Sequence, residues 1–262
     1  MAHAAHVPPS TPRASASEPD ARTAARQRRD VIADEAKRSF LRMASHELRT
    51  PLNSILGFSE ILQSELYGPL GAPQYKEYAG IIRTSGARLL KLVNQVLEIA
   101  RLEGGTMDFD LRPESLDHAI DDAIDGLRDE IKAHGVSVVV ENQGYLPAVV
   151  ADARGLRNVL GNLIHNAVVF TPDGSVVRIR AQLVGGQVDF AVIDNGPGVE
   201  PDDIPRLLRP FEQGENALTR RSEGAGLGLP IVDLLCLAMG GRLKLSSAPG
   251  QGLIASVRLP AA

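Results

Sequence analysis

Two stretches of the chain repeat apolar residues at helical spacing before the pattern changes to alternation. Leu41, Ala44, Leu48, Ile55 and Leu62 recur at three, four or seven residues, one stripe of a helix, and predict a helix over about residues 30–66. At about 100° per residue, His46 falls nearly opposite Leu48; Thr50 lies one turn further along the face of His46, and Glu47 beside it. Pro51 has no N–H to give and is expected to bend or loosen the helix there. The stretch "YGPLGAP" supplies the Gly and Pro of a helix-to-helix connection. A second helix runs to about Leu102, with Tyr78, Ile82, Leu89, Val93, Val96 and Ala100 on one stripe, and Gly104 and Gly105 end it. Two helices with one apolar stripe each cannot close a core. A four-helix bundle can, and pairing two identical hairpins about a two-fold axis builds one. The pattern therefore predicts a homodimer.

From residue 107 the period changes. "MDFDL" (107–111), "VSVVV" (136–140) and "AVVA" (148–151) read as strands, and helices are predicted over about 115–133 and 153–169. "SVVRIRAQLV", Gly185-Gly186 and "QVDFAVID" form a hairpin. An irregular, glycine-bearing stretch (195 to about 225) precedes the helix "LGLPIVDLLCLAMG", and "RLKLSS" with "LIASVRL" close the domain as a second hairpin. Helices on one face of a mixed sheet are the α+β expectation. An irregular stretch of that length in a compact domain is expected to be a functional lid. The division expected is a disordered tail over 1–29, rich in Ala, Ser, Pro and Arg, a helical domain over 30–105 and an α+β domain over 106–262.

Composition narrows the field. A net charge of −4 does not suggest a nucleic-acid or anionic-membrane partner. The single Cys236 allows neither an intrachain disulfide nor a cysteine zinc site. No apolar run approaches the roughly 20 residues of a membrane span, and no apolar leader opens the chain. A soluble protein of a reducing, cytoplasmic compartment is the expectation.

Three glycine stretches punctuate the second domain: "DNGPG" (194–198) after a strand, "GAGLGL" (224–229) before a helix, and "PGQG" (249–252) between strands. Glycines let backbone N–H groups approach a polyphosphate, and a helix N-terminus adds a favourable dipole. Glycines also serve ordinary turns, and neither a dinucleotide fingerprint nor a P-loop is present. Asn162 and Asn166, four apart in "NLIHNA", project from one face of a helix. Amide oxygens can bind a hard cation such as Mg²⁺, although such asparagines are also common on solvated faces. Asp194, at a strand end, suits an adenine amino group.

Together these stretches resemble the transmitter core of a sensor histidine kinase over roughly residues 35–260. "SHELRTPLN" resembles the family's H-box, "NLIHNA" its N-box, "VIDNGPG" its first G-box, "RPFEQ" its F-box and "GAGLGL" its second G-box. "ELYGPLGAPQYKEYAG" and "ENALTRRSEGAGLGLPIV" further resemble the PleC/DivJ-like cell-cycle kinases of alphaproteobacteria. The resemblance implies a helical-hairpin dimerisation and phosphotransfer domain, then a two-layer α+β sandwich of the Bergerat (GHKL) type that binds ATP and Mg²⁺. It implies autophosphorylation on His46, transfer to the aspartate of a response-regulator receiver domain, and phosphatase activity. Glu47 would activate His46, and Thr50 would orient water for dephosphorylation. Asn166 would bind magnesium with Asn162 as companion, and Asp194 would read adenine. Gly196, Gly198, Gly224, Gly226, Leu227 and Gly228 would flank nucleotide and lid, and Phe211 would brace the lid.

Two departures are visible. Val169 stands where the family often has a lysine, and Arg220 and Arg221 are the candidates for the missing charge. His165 is not a usual signature residue and is expected beside the site rather than in it. GHKL-type ATPases, the first alternative, carry a water-activating glutamate where this chain has Asn162. The second alternative, a phosphotransfer or phosphatase dimer with weak or dead kinase activity, would show eroded N- and G-boxes. A kinase of this family normally has an input domain before these helices, where this sequence has only the tail; either the sequence is a piece of a longer protein, or the signal is expected to arrive through another protein or the start of the first helix.

Overall fold

A computed structural model describes residues 48–212 and 225–262. His46, Glu47, Gly224, Arg220, Arg221, the tail 1–29 and the start of the first helix lie outside the described residues.

Helix α1 runs without interruption over 48–63, so Pro51 breaks no described turn. Helix α2 (Pro73–Glu103) opens with proline at its first position, where a missing N–H costs nothing, and ends at Gly104. The two are antiparallel: Arg49 donates to Asn94 at 3.1 Å, Arg83 to Gln63 at 2.6 Å, and Lys76 pairs with Glu65 at 3.2 Å. Their mutual face is not the predicted stripe. Leu52 and Ser59 of α1 are buried together with Ala79 and Gly86 of α2, and a Cβ on Gly86 would stand 3.2 Å from Leu56. The predicted stripes face outward, with Leu48 at 45% and Ile82 at 49% exposure, and Ile55, Leu62, Tyr78 and Leu89 alike.

Downstream, β1 (Arg112–Glu114) pairs antiparallel with β3 (Val149–Ala151) as a small ribbon. A five-stranded sheet has the order β2 (Ser137–Val140), β4 (Val176–Val184), β5 (Gln187–Ile193), β7 (Leu253–Pro260), β6 (Arg242–Ser247). β2 lies parallel to β4, and the other pairs are antiparallel. Helices α3 (Leu116–Gly126), α5 (Ala153–Phe170) and α7 (Gly228–Ala238) cover one face, and the short helices α4 (Arg128–Ala133) and α6 (Ile204–Leu207) lie at the margin. Inward residues alternate along the strands: Val177 and Ile179 on β4, Val188, Phe190 and Val192 on β5, and Ala255, Val257 and Leu259 on β7 are buried. Leu156, Val159, Leu160, Leu163, Ile164 and Ala167 supply the facing stripe of α5. This is the predicted α+β two-layer sandwich. The core extends into the hairpin, because Ile99 of α2 belongs to it and Leu92 and Leu102 pack against it.

Two predicted elements differ. Residues 107–111 are not a strand: the N–H of Asp110 donates to the Asp152 carboxylate at 3.1 Å, and pairing starts only at Arg112. The helix predicted over 115–133 is two helices, parted at Gly126–Leu127, where glycine weakens helical continuity. Among the described residues no helix is long and apolar enough to cross a membrane.

Candidate functional site

The site is assembled by α5, the turn after β5, the first turn of α7 and the β6–β7 turn. Helix α5 starts sharply because the Asp152 carboxylate accepts from the N–H groups of Arg154 (3.0 Å) and Gly155 (2.9 Å). That start sets the phase of the helix. With its apolar stripe on the sheet, Asn158, Asn162 and Asn166 share another face, each four residues from the next.

Asp194 follows β5 and is only 6% exposed. Its Oδ1 accepts from the N–H of Gly196 at 2.8 Å and of Leu253 at 3.0 Å. Burial pushes the carboxyl above its ordinary value, and the two N–H donors oppose that rise. Oδ2 accepts from no protein donor among the described residues, so a buried acid keeps one oxygen for something else. The Thr171 hydroxyl is buried without a hydrogen-bond partner among the described residues. A Cβ on Gly196 would stand 2.9 Å from both Asp194 Oδ1 and the carbonyl of Phe170, which immediately precedes that threonine. A buried hydroxyl of that kind is costly unless a ligand or water satisfies it.

The turns interlock. Gly198 has a left-handed φ of 65°, and a Cβ there would fall 2.0 Å from the carbonyl oxygen of Ala248; a Cβ on Gly252 would fall 2.0 Å from that of Asp194. Gly250 donates to the Pro197 carbonyl at 2.7 Å, and the Ser247 hydroxyl accepts from the N–H of Val199 at 2.9 Å.

At the far end, Leu227 is buried and precedes α7, whose first turn has no side-chain cap. Among the described residues the N–H groups of Gly228 and Leu229 are therefore available to an anion, whereas Pro230 has none and Ile231 donates to the Leu227 carbonyl. Gly228 meets the N-box directly: a Cβ there would stand 2.9 Å from Asn162 Oδ1. The Asn162 Nδ2 donates to the carbonyl of Asn158 (2.9 Å) and to its Oδ1 (2.6 Å), so its oxygen faces α7. The side chain of Asn166, partly buried, makes no hydrogen bond among the described residues. No cluster of three or more His, Cys, Asp or Glu among them could hold a metal. A cation here would take amide oxygens and the oxygens of its ligand, and this neutral, hard donor set fits Mg²⁺.

Other predicted residues sit as follows. Phe211 is exposed at positive φ, and its N–H donates to the Gly226 carbonyl at 3.2 Å, clasping the two ends of the stretch 212–225. His165 approaches Glu130 of α4 at 3.6 Å; burial pulls its pKa down while Glu130 opposes. Thr50 is exposed on α1, and its carbonyl accepts from the Ser54 hydroxyl at 3.2 Å. Val169 is half-buried. Sequence reasoning missed Thr171 and Asn158. The four-residue spacing of Asn158 from Asn162 was the available signal for the latter, whereas Thr171 carries none.

Comparison with known proteins agrees with this geometry. Residues 36–105 match the His Kinase A (phospho-acceptor) domain model, and residues 151–262 match the model of histidine kinase-, DNA gyrase B- and HSP90-like ATPases. The chain is 39% identical over 232 residues to the non-motile and phage-resistance protein of Caulobacter vibrioides, covering 87% of this chain and 27% of that one. It is 37% identical over 237 residues to the cell-division control histidine kinase PdhS of Brucella suis, covering 87% and 23%. The chain thus spans about a quarter of the length of these relatives. Among solved structures, full-length ShkA in complex with AMPPNP superposes with a TM-score of 0.73 at 35% identity, over 86% of this chain and 46% of that one. The histidine kinase AdeS of Acinetobacter baumannii, at 20% identity and a TM-score of 0.58, shares the fold over 82% of this chain and 97% of that one. With two family models in tandem and the N- and G-box residues in one site, the chain belongs to the sensor histidine kinases and carries their transmitter core.

Proposed function

We propose that the chain binds ATP with Mg²⁺, phosphorylates itself on His46 and passes the phosphoryl group to the aspartate of a response-regulator receiver domain. The observation that carries the ATP reading is the buried Asp194, whose Oδ1 is tied to two backbone N–H groups and whose Oδ2 is left for an amino group. The AMPPNP in the ShkA structure supports the same reading. Asp194 reads the adenine amino group, the first turn of α7 receives the phosphates, and Asn166 with Asn162 faces the cation. Magnesium supplies charge neutralisation between the phosphates. A nitrogen of His46 attacks the γ-phosphorus, the bond to the bridging oxygen breaks and ADP leaves, while Glu47 hydrogen-bonds the other ring nitrogen. The outward stripes of α1 and α2 support a homodimer, since each exposed apolar face in one chain matches that of a second copy. Asn162 supports a kinase over a hydrolytic clamp, because an amide cannot take a proton from water.

Incubation with γ-labelled ATP tests this. The product should be an acid-labile, alkali-stable phosphoprotein, absent in His46→Gln. Thr50→Ala should autophosphorylate at near-normal rates yet dephosphorylate a partner receiver about tenfold to a hundredfold more slowly. An unlabelled protein that still binds nucleotide would leave the phosphotransfer or phosphatase dimer as the correct reading.

A further inference from the structure

A cleft of about 450 Å³ lies between the hairpin and the nucleotide domain; Lys91, Asn94 and Glu98 of α2 line one wall, Asn158 and Asn162 of α5 with Ile231 of α7 the other. At one end the Asn158 Nδ2 donates to Glu98 Oε1 at 2.6 Å. Seven residues back along α2 stands Lys91, and seven forward along α5 stands His165, each two turns away on the same helical face. These two side chains meet again electrostatically. Burial is the main cause of the low His165 pKa and Glu130 opposes it, while the charge of Lys91 adds to the depression, as does His134. Helices α2 and α5 thus pass each other antiparallel. Lys91 is set about 10 Å along its helix from Glu98, at the end of the cleft where α5 carries His165 and Asn166.

Charge is scarce in this cleft. Glu98 is tied to Asn158, and Lys91 is the one cation among the described residues that line it. The Lys91 ammonium makes no ion pair or hydrogen bond among the described residues, and it is exposed on a flexible stem that can turn to an anion. The opposite wall adjoins the turn that suits phosphate: Ile231 lies in the first turn of α7, and a Cβ on Gly228 would stand 2.9 Å from Asn162 Oδ1. A lysine of one domain therefore looks across the cleft at the amide face and helix start of the other.

Resting on the nucleotide reading above, we propose that Lys91 is a phosphate ligand supplied by the hairpin to the nucleotide site, and that it acts on the γ-phosphate. The γ-phosphorus is the part of ATP that must reach a residue of the helical domain, so the distal phosphate, not the adenine at Asp194, is turned toward α2. A flexible ammonium there neutralises charge on the terminal oxygens. The preference for a triphosphate over a diphosphate then depends on the nucleotide domain sitting on α2. Once the phosphoryl group has been transferred, ADP no longer reaches the lysine and its release is eased.

The test uses the full chain and calorimetric binding of AMPPNP and of ADP, both with Mg²⁺. Lys91→Met should weaken AMPPNP about tenfold, as for loss of one charge-assisted hydrogen bond, and ADP by less than about twofold. Lys91→Arg, which keeps the charge, should stay within about threefold of wild type for both. Raising the salt concentration should narrow the preference for AMPPNP over ADP more in wild type than in Lys91→Met, because an exposed charge is screened. Lys244→Met, exposed on β6, should bind both nucleotides as wild type. Equal losses for AMPPNP and ADP, with a lowered melting temperature, would make Lys91 a structural residue and overturn the proposal. Wild-type affinity for AMPPNP in Lys91→Met would overturn it too, and either result leaves the nucleotide site in place. Failure of the wild-type chain to bind either nucleotide would overturn the nucleotide reading instead.

Discussion

At Asp194 a substitution of one atom is informative. Its Oδ1 is held by the N–H groups of Gly196 and Leu253, so an asparagine there must keep its carbonyl oxygen on those donors and turn its NH₂ to the pocket. Asp194→Asn would then set donor against the adenine amino group. The expected outcome is roughly 10- to 100-fold weaker ATP binding with little change in melting temperature, because both backbone bonds survive; calorimetry and thermal melts on the same samples check it. The residue scale is also where the sequence was most and least legible. Spacing puts Asn162 and Asn166 on one helix face, and only the resemblance to the family's N-box gives them a role. Thr171 carries no such signal: a threonine before a proline at a helix end reads as a stop signal, and nothing local reveals that its hydroxyl is buried without a partner among the described residues.

Helix α5 shows what one cap does for an element. Asp152 receives three backbone N–H groups, two from the first turn of α5 and one from Asp110. Burial works against its charge, but the bonds from Gly155, Asp110 and Arg154 outweigh it and hold the carboxyl below its ordinary value. A depressed carboxylate contributes stability that is present above its unfolded pKa of about 3.9 and is lost as pH falls through the folded value. Asp152→Ala should cost about 1–2 kcal/mol at neutral pH, and its deficit relative to wild type should shrink as pH drops below about 4. Denaturant melts across that range are the check; a constant deficit would mean that the charge is irrelevant. The same carboxylate explains the strand predicted over 107–111. Met107, Phe109 and Leu111 alternate as a strand should, and nothing local reveals that the N–H of Asp110 is taken by a residue 42 positions on. Where pairing partners are adjacent, as in the β4–β5 hairpin around Gly185-Gly186, the reading and the observed strands agree.

For the whole molecule, the apolar stripes of the hairpin were legible, but not which way they face. Leu52, Ser59, Ala79 and Gly86 join the two helices of one chain, using small residues that no periodicity count rewards, and this leaves the large residues outside. Ile55→Glu with Ile82→Glu should therefore convert a dimer to a monomer in sedimentation equilibrium and leave ATP affinity within twofold. A dimer that survives both charges would place the interface elsewhere. The interlocked turns around Gly198 and Gly252 have a consequence in time. Leu253 donates to Asp194 across 59 residues. At about 5–20 residues per second, synthesis reaches it roughly 3–12 s after Asp194, whereas both helices of the hairpin are complete by residue 103. On the proposed nucleotide reading, a nascent chain in that interval has the hairpin complete but Asp194 still without its Leu253 donor, so assembly is expected to precede nucleotide binding, and a chain truncated before Leu253 is expected to bind ATP more weakly than the whole.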